Sequence, residues 1–174
     1  VEHTWTCKVS LRIADTDTKT CADGHKKVVC CTWMTGADDP EQNVIIYGTA
    51  QHNPPYSNEL RDGDNLYSDT IAAIDVDTGK LKWHFQFTPH DVWDYDATET
   101  PALVDVTWQG QPRKLLLQAN RNGCFYILDR TNAKFLSGTT FVKNLTWARR
   151  LPPQGRQIRV SDRAATGQAN RNWT

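Results

Sequence analysis

The sequence predicts an all-β protein. Seven Trp stand against a single Met, a balance that favours indoles stacked on pleated sheets over a helical bundle. Gly, Pro, Asn and Asp return about every ten residues, the rhythm of short strands joined by turns. No segment carries the apolar period of an amphipathic helix.

A repeat refines the prediction to a β-propeller of four-stranded blades. The pattern Ala73-x-Asp75-x-x-Thr78-Gly79-x-x-x-Trp83 has a weaker echo at Ile127-x-Asp129-x-x-Asn132-Ala133, with Ser137 where the Trp would stand. The two Asp are separated by about one blade, a unit of roughly 40–50 residues. Asp and Thr would tie down a strand–turn–strand, Gly would supply the turn, and the Trp would stack against the next blade. Two unrelated hairpins are the plainer alternative.

Taken in order, residues 1–31 show only weak alternation followed by a polar, Thr/Asp/Lys-rich stretch, and carry no functional signal. Thr32-Trp33-Met34-Thr35-Gly36 leads into an Asp-Asp-Pro turn, and 43–48 (NVIIYG) is a buried strand. A polar loop over 48–65 precedes a second strand over 65–75. The Asp77-Thr78-Gly79-Lys80 turn and a third strand over 81–87 complete a hairpin. Further strands are expected over 102–108, 114–119 and 124–128, with turns at Gln109-Gly110-Gln111-Pro112 and Asn120-Arg121-Asn122-Gly123. Beyond Phe141 the pattern fades into Arg-rich sequence where irregular surface loops are expected.

The totals exclude several functions. At 174 residues the chain can form one domain with a real core. Its 20 basic and 20 acidic residues balance, which argues against a nucleic-acid partner or general membrane-surface affinity. No run of about 18 apolar residues exists, so no transmembrane segment is predicted. No signal peptide opens the chain, so a mature, cytosolic or fragmentary sequence is expected. The five cysteines (Cys7, Cys21, Cys30, Cys31 and Cys124) include no CxxC or CxxCH, against a zinc ribbon and covalently attached haem c. Cys7 and Cys21 could pair; Cys30 and Cys31 read better as two reduced thiols than as a strained vicinal bridge. His3, His25, His52, His84 and His90 lack the spacing of zinc ligands.

Chemistry concentrates at 88–96, Thr-Pro-His-Asp-Val-Trp-Asp-Tyr-Asp, where three carboxylates, an imidazole and two large aromatics share nine positions. In extended backbone Asp94 and Asp96 would project to one side. Two like charges so placed need a cation or a shared proton. The alternative is an acidic turn in which Asp91 caps a bend and Trp93 packs beneath it.

These segments together resemble the quinoprotein alcohol dehydrogenases, which use pyrroloquinoline quinone (PQQ) and a metal ion. The matching stretches are TWMTG at 32–36, RDGDNLYSD at 61–69, AIDVDTGKLKWHFQFTPHDVWDYD at 73–96, PRKLLLQANRNG at 112–123 and FYILDRT at 125–131. The resemblance implies an eight-bladed propeller with Trp-docking repeats, of which this chain would supply three or four blades as one partial domain over 1–174. The match is clear over about 32–148 and poor over 1–31 and 149–174. An open arc of blades would leave exposed edges.

The resemblance also implies roles. Asp94 would be the catalytic base that takes the proton of a primary alcohol as hydride passes to the quinone. Arg121 would hydrogen-bond the quinone oxygens and stabilise their developing charge. Trp33 would form the floor under the flat cofactor. Calcium, with a lanthanide as the alternative, would bind Asp94 and an amide oxygen of the 48–54 segment. Keeping the Asn-Pro pair selects Asn53, whereas counting from Trp33 selects Gln51. Asp96 would add a metal ligand or stand behind the shell. Electrons would pass to a cytochrome c in the bacterial periplasm, and a homodimer is compatible with the family. Cys30-Cys31 replace small residues usual before the Thr-Trp pair, and the family's glutamate ligand belongs to a part not represented here. The rival function is a non-catalytic propeller scaffold, which needs Asp75, Thr78, Gly79 and Trp83 but has no use for Asp94 or Arg121.

Overall fold

The computed structural model describes residues 32–51, 56, 63–150, 155 and 158–159. Two antiparallel four-stranded meanders follow one another along the chain. The first contains β1 (Ala37–Asp39), β2 (Val44–Gly48), β3 (Thr70–Asp75) and β4 (Leu81–Gln86). The second contains β5 (Ala102–Trp108), β6 (Gln111–Asn120), β7 (Cys124–Asp129) and β8 (Phe135–Thr140). β9 (Ala148–Arg150) and β10 (Ile158–Arg159) form a separate antiparallel pair. There is no helix among the described residues. The cysteines at 7, 21, 30 and 31 lie outside them.

Burial explains the strand chemistry. In β2 Val44, Ile46 and Gly48 are buried while the intervening residues are half-exposed; in β7 Cys124, Tyr126 and Leu128 play the same part. β3 is buried along almost its whole length, as an inner strand covered on both faces must be. One core joins the two sheets: Val44, Ile46, Ile71, Ala73, Trp83 and Phe87 from the first meet Leu116, Cys124, Tyr126 and Leu128 from the second. Trp83, cross-strand from Ala73, belongs to that shared core.

The repeat is one turn built twice. Asp75 Oδ1 accepts from Thr78 N (2.9 Å) and Thr78 Oγ1 (2.7 Å), and Gly79 N donates to Asp75 O (2.8 Å). Asp129 Oδ1 accepts from Thr131 N (3.0 Å) and Thr131 Oγ1 (2.6 Å), and Ala133 N donates to Asp129 O (2.8 Å). Gly79 and Ala133 both adopt left-handed backbone, at φ 65° and 60°. Ser137 lies cross-strand from Ile127, so it occupies the register that Trp83 holds in the first sheet.

Several boundaries differ from expectation. β3 begins at Thr70 because Asn65 and Asp69 turn into left-handed conformations (φ 58° and 46°) that end extended backbone. β6 starts at Gln111, since only Gln109 and Gly110 form the turn. β1 occupies part of the expected Asp-Asp-Pro turn, and β8, β9 and β10 were not foreseen. These are short or weakly alternating segments recruited by the ladder of a neighbour, which local sequence does not report.

Arg130 ties the sheets together. Its buried guanidinium donates to Asp39 Oδ2 on β1 (2.8 Å) and to Asp105 Oδ1 on β5. Burial opposes the Asp39 charge, but Gln42 and Arg130 outweigh it and hold its carboxyl below the ordinary range. Removing one partner leaves an unpaired buried charge, so Arg130→Ala should cost about 3–5 kcal/mol in chemical denaturation of the full protein. Gly79→Ala meets no atom within 4 Å. It should cost only the left-handed strain of a non-glycine residue, about 1–2 kcal/mol in the same assay.

Candidate active site

The site is built on the connection from β4 to β5, which crosses from one sheet to the other. Its entry is held by Phe87 N donating to Asp69 O (2.7 Å) and His90 N to Asp64 O (2.8 Å). Asn122 Nδ2 reaches back to Thr88 Oγ1 (3.1 Å) and to the Tyr126 hydroxyl (2.8 Å). Toward its exit, Ala97 N donates to Thr49 O (3.1 Å), and the chain passes so close to Gly48 that an added Cβ would lie 1.7 Å from Ala97 O. Only glycine allows β2 and this loop to touch there.

Between those anchors lies the acidic segment. Asp91 is fully buried; its Oδ1 accepts from Trp93 N (2.7 Å) and its Oδ2 from Tyr95 N (2.8 Å). His90, Asp94 and Asp96 all adopt left-handed backbone, with φ 51°, 64° and 56°. Such conformations cost non-glycine residues about 1–3 kcal/mol each and persist only where the surroundings enforce them. The segment is therefore not the extended strand that would set Asp94 and Asp96 side by side. The flanking aromatics pack away together instead: Trp93 and Tyr95 form a triangle with Trp147, with centroids 5.5–5.8 Å apart. Trp147 Nε1 donates to Asn122 O (2.8 Å) and fixes the third corner. The capped-bend reading of Asp91 thus holds as a description of geometry alongside the acidic cluster.

Asp96 is buried, accepting from Gln51 N at Oδ1 (2.8 Å) and from Arg121 Nη1 at Oδ2 (2.7 Å). Asp94 is half-exposed, and its Oδ2 accepts from the Tyr56 hydroxyl (3.2 Å). The Tyr56 phenol is pushed up by desolvation and by the Asp94 charge, while Arg121 acts in the opposite sense, so all three share one neighbourhood. Glu99 secures Arg121 from below: Oε1 accepts Arg121 N (3.2 Å), and Oε2 accepts Gln118 Nε2 (3.2 Å). Burial pushes the Glu99 carboxyl up.

Charge is the dominant feature. Burial raises Asp96, aided by Asp94; the Gln51 amide and Arg121 oppose it but do not prevail. The Arg121 side chain is 54% exposed, so water screens its charge while Asp96 stays desolvated. Burial also raises Asp91, against the Asp69, Trp93 and Tyr95 hydrogen bonds. Asp69 is driven well above the carboxylate range, first by burial and then by Asp91. Among the described residues neither Asp69 oxygen meets a donor, an environment that favours a proton shared with the neighbouring Asp91 over a second buried charge.

The structure brings Asp94, Asp96 and Arg121 together. Trp33 stands 56% exposed in the segment before β1, which is tied to the same loop by Thr100 Oγ1 donating to Thr35 O (2.6 Å). No hydrogen bond or ring contact links Trp33 to Asp94 or Arg121 among the described residues. Asn53 lies outside the described residues. Gln51, the other amide considered, is buried, with Nε2 donating to Asp91 O. Hard carboxylate oxygens in excess of positive charge are donors for an ion such as calcium or a lanthanide. Among the described residues no group of three or more His, Cys, Asp or Glu surrounds a common point. Asp69, Glu99, Tyr56 and Trp147 were not singled out from sequence. The signal that could have found Asp69 is the RDGDNLYSD motif at 61–69, which ends on it.

Residues 2–140 match the family described as PQQ glucose/ethanol/alcohol dehydrogenase, β-propeller domain. The chain belongs to this family. It is 47% identical over 127 residues to quinoprotein alcohol dehydrogenase PedH of Pseudomonas putida, which covers 72% of this chain and 21% of that protein. It is 42% identical over 116 residues to a 1-butanol dehydrogenase (cytochrome c) of Thauera butanivorans, covering 65% of this chain and 17% of the relative. A europium-containing methanol dehydrogenase superposes with a TM-score of 0.77 at 32% identity, over 84% of this chain and 25% of that one. The chain therefore spans about a sixth to a quarter of the length of these relatives. The expected all-β propeller of four-stranded blades is borne out, and both named organisms are bacteria. Among the described residues no helix is long and apolar enough to cross a membrane.

Asp69 gives a pH-dependent prediction. A carboxyl whose folded proton affinity is raised is most favourable at low pH, and its contribution falls as pH climbs from its unfolded value, about 4, through the raised one. Asp69→Asn removes that penalty while offering a donor to Asp91. Its melting temperature should exceed wild type at pH 7, with the difference closing near pH 4; an equal shift at both would contradict the shared proton.

Proposed function

We propose that this chain forms part of the catalytic face of a PQQ- and metal-dependent dehydrogenase that oxidises a primary alcohol to an aldehyde. The observation that carries the reading is the convergence of Asp94 and Arg121, from two different inter-strand connections, on one acidic corner through Asp96 and Tyr56.

When bound, PQQ supplies the acceptor for the hydride of the alcohol carbon. The protein's own residues do the rest. Asp94 takes the hydroxyl proton, its carboxylate oriented by the Tyr56 hydroxyl on Oδ2. Arg121 has five N–H donors, of which Nη1 is committed to Asp96, leaving others for quinone oxygens that gain negative charge. Trp33 offers an exposed indole face for stacking against a flat ring. Asp94, with Asn53 and Asp96, would hold the metal, and the net negative charge here supports a multivalent cation. The europium-containing relative and the acid at Asp96 support a lanthanide, with calcium the alternative. The cytochrome c named for the butanol dehydrogenase supports a cytochrome c acceptor, and with it a periplasmic setting. The core shared by both sheets supports reading residues 1–174 as one piece of a single propeller domain, in a protein that could assemble as a homodimer.

Asp94→Asn keeps the side chain's shape and removes its basicity. In the full-length enzyme it should lower dye-linked alcohol oxidation by about 100- to 10,000-fold while PQQ absorbance is retained. Turnover near wild type in a PQQ-loaded variant would remove Asp94 from the role of base.

A further inference from the structure

We propose that Asp91 is a positioning residue for the reaction, its buried carboxylate fixing the left-handed backbone from which Asp94 is presented. The inference rests on the reading of Asp94 as the base and deepens it.

A fully buried carboxylate is costly, and two backbone amides answer this one alongside its hydrogen bond with Asp69. Its oxygens take Trp93 N at 2.7 Å and Tyr95 N at 2.8 Å, the amides on either side of Asp94. Charge-assisted bonds of that length are about twice as strong as neutral ones. They bracket the residue whose φ of 64° it would not adopt unaided. The anchor itself cannot shift: Gln51 Nε2 donates to Asp91 O, and Asp69 lies buried beside the carboxylate. Asp69 in turn receives Phe87 N on its carbonyl and donates its amide to Ala50 O (3.3 Å). The support thus runs from the start of β3 through Asp69 and Asp91 into the two amides. Trp93 and Tyr95 pack onto Trp147, so they are braced by rings as well as by the carboxylate. Among the described residues Asp94 has no ring contact, so beyond the Tyr56 hydroxyl its direction follows from its backbone.

The test uses the full-length enzyme loaded with PQQ and metal. Asp91→Asn keeps volume and one acceptor but cannot accept both amides. It should leave PQQ content and KM near wild type and lower kcat per PQQ by about 10- to 100-fold. Added to Asp94→Asn it should cause no further loss, because it acts through that residue. A second readout needs no turnover: in the cofactor-free protein, hydrogen exchange of the Trp93 and Tyr95 amides should accelerate at least tenfold. A lowered melting temperature with unchanged kcat per PQQ assigns Asp91 to the fold alone and overturns the proposal, as does a loss that multiplies with that of Asp94→Asn. If Asp91→Asn does not fold, an ester in place of the Tyr95 amide removes one bond without touching the acid. It should lower kcat in the same way, and an unchanged kcat overturns the proposal. Failure of the base assignment is separately visible, since Asp94→Asn alone would then retain turnover.

Discussion

Negative charge taken out of water is the constraint on which the rest of this molecule turns. Asp69, Asp91 and Asp96 are buried around one loop, Asp94 stands at its surface, and the guanidinium beside them, Arg121, is itself largely in solvent. Such an arrangement is unfavourable unless each carboxylate is answered. Backbone amides answer Asp91, an amide and a guanidinium answer Asp96, and at Asp69 burial beside Asp91 favours the protonated form. Asp94 is half-exposed, and among the described residues the Tyr56 phenol is the donor that answers it.

The two sheets exist, from this viewpoint, to hold one connection still. Their shared core fixes the distance between β4 and β5, and Arg130 bridges β1 and β5 through Asp39 and Asp105. Gly48 then lets the crossing chain lie against the end of β2, bringing Asp96 to the Gln51 amide. Removing the side chain at one position is what permits the carboxylate contact three residues along. The Asn122 carboxamide does comparable service at the other end, spanning Thr88 and Tyr126, while the Asn122 backbone carbonyl receives Trp147 Nε1.

Much of this was legible beforehand. The repeat read as one turn used twice, and Asp75 and Asp129 do accept from Thr78 and Thr131 in matching ways, although Thr moves by one position and Ala133 replaces the glycine. Strands with clear alternation, such as β2 and β7, stood close to where they were expected. Those without it, β1, β8, β9 and β10, exist because a neighbouring strand offers a ladder. The clustering of Asp94, Asp96 and Arg121 was anticipated, yet for a partly mistaken geometric reason, since the backbone there is left-handed rather than extended.

By itself, the sequence determined the fold class, the blade repeat and the family, because these rest on local periodicity and on motifs that lie contiguous along the chain. Only the tertiary structure decided which acids are desolvated and what answers them. Asp69 and Asp91 stand far apart in sequence, and Glu99 reads as an ordinary surface acid. Burial and hydrogen bonding depend on which segments pack together, and no stretch of chain carries that information alone.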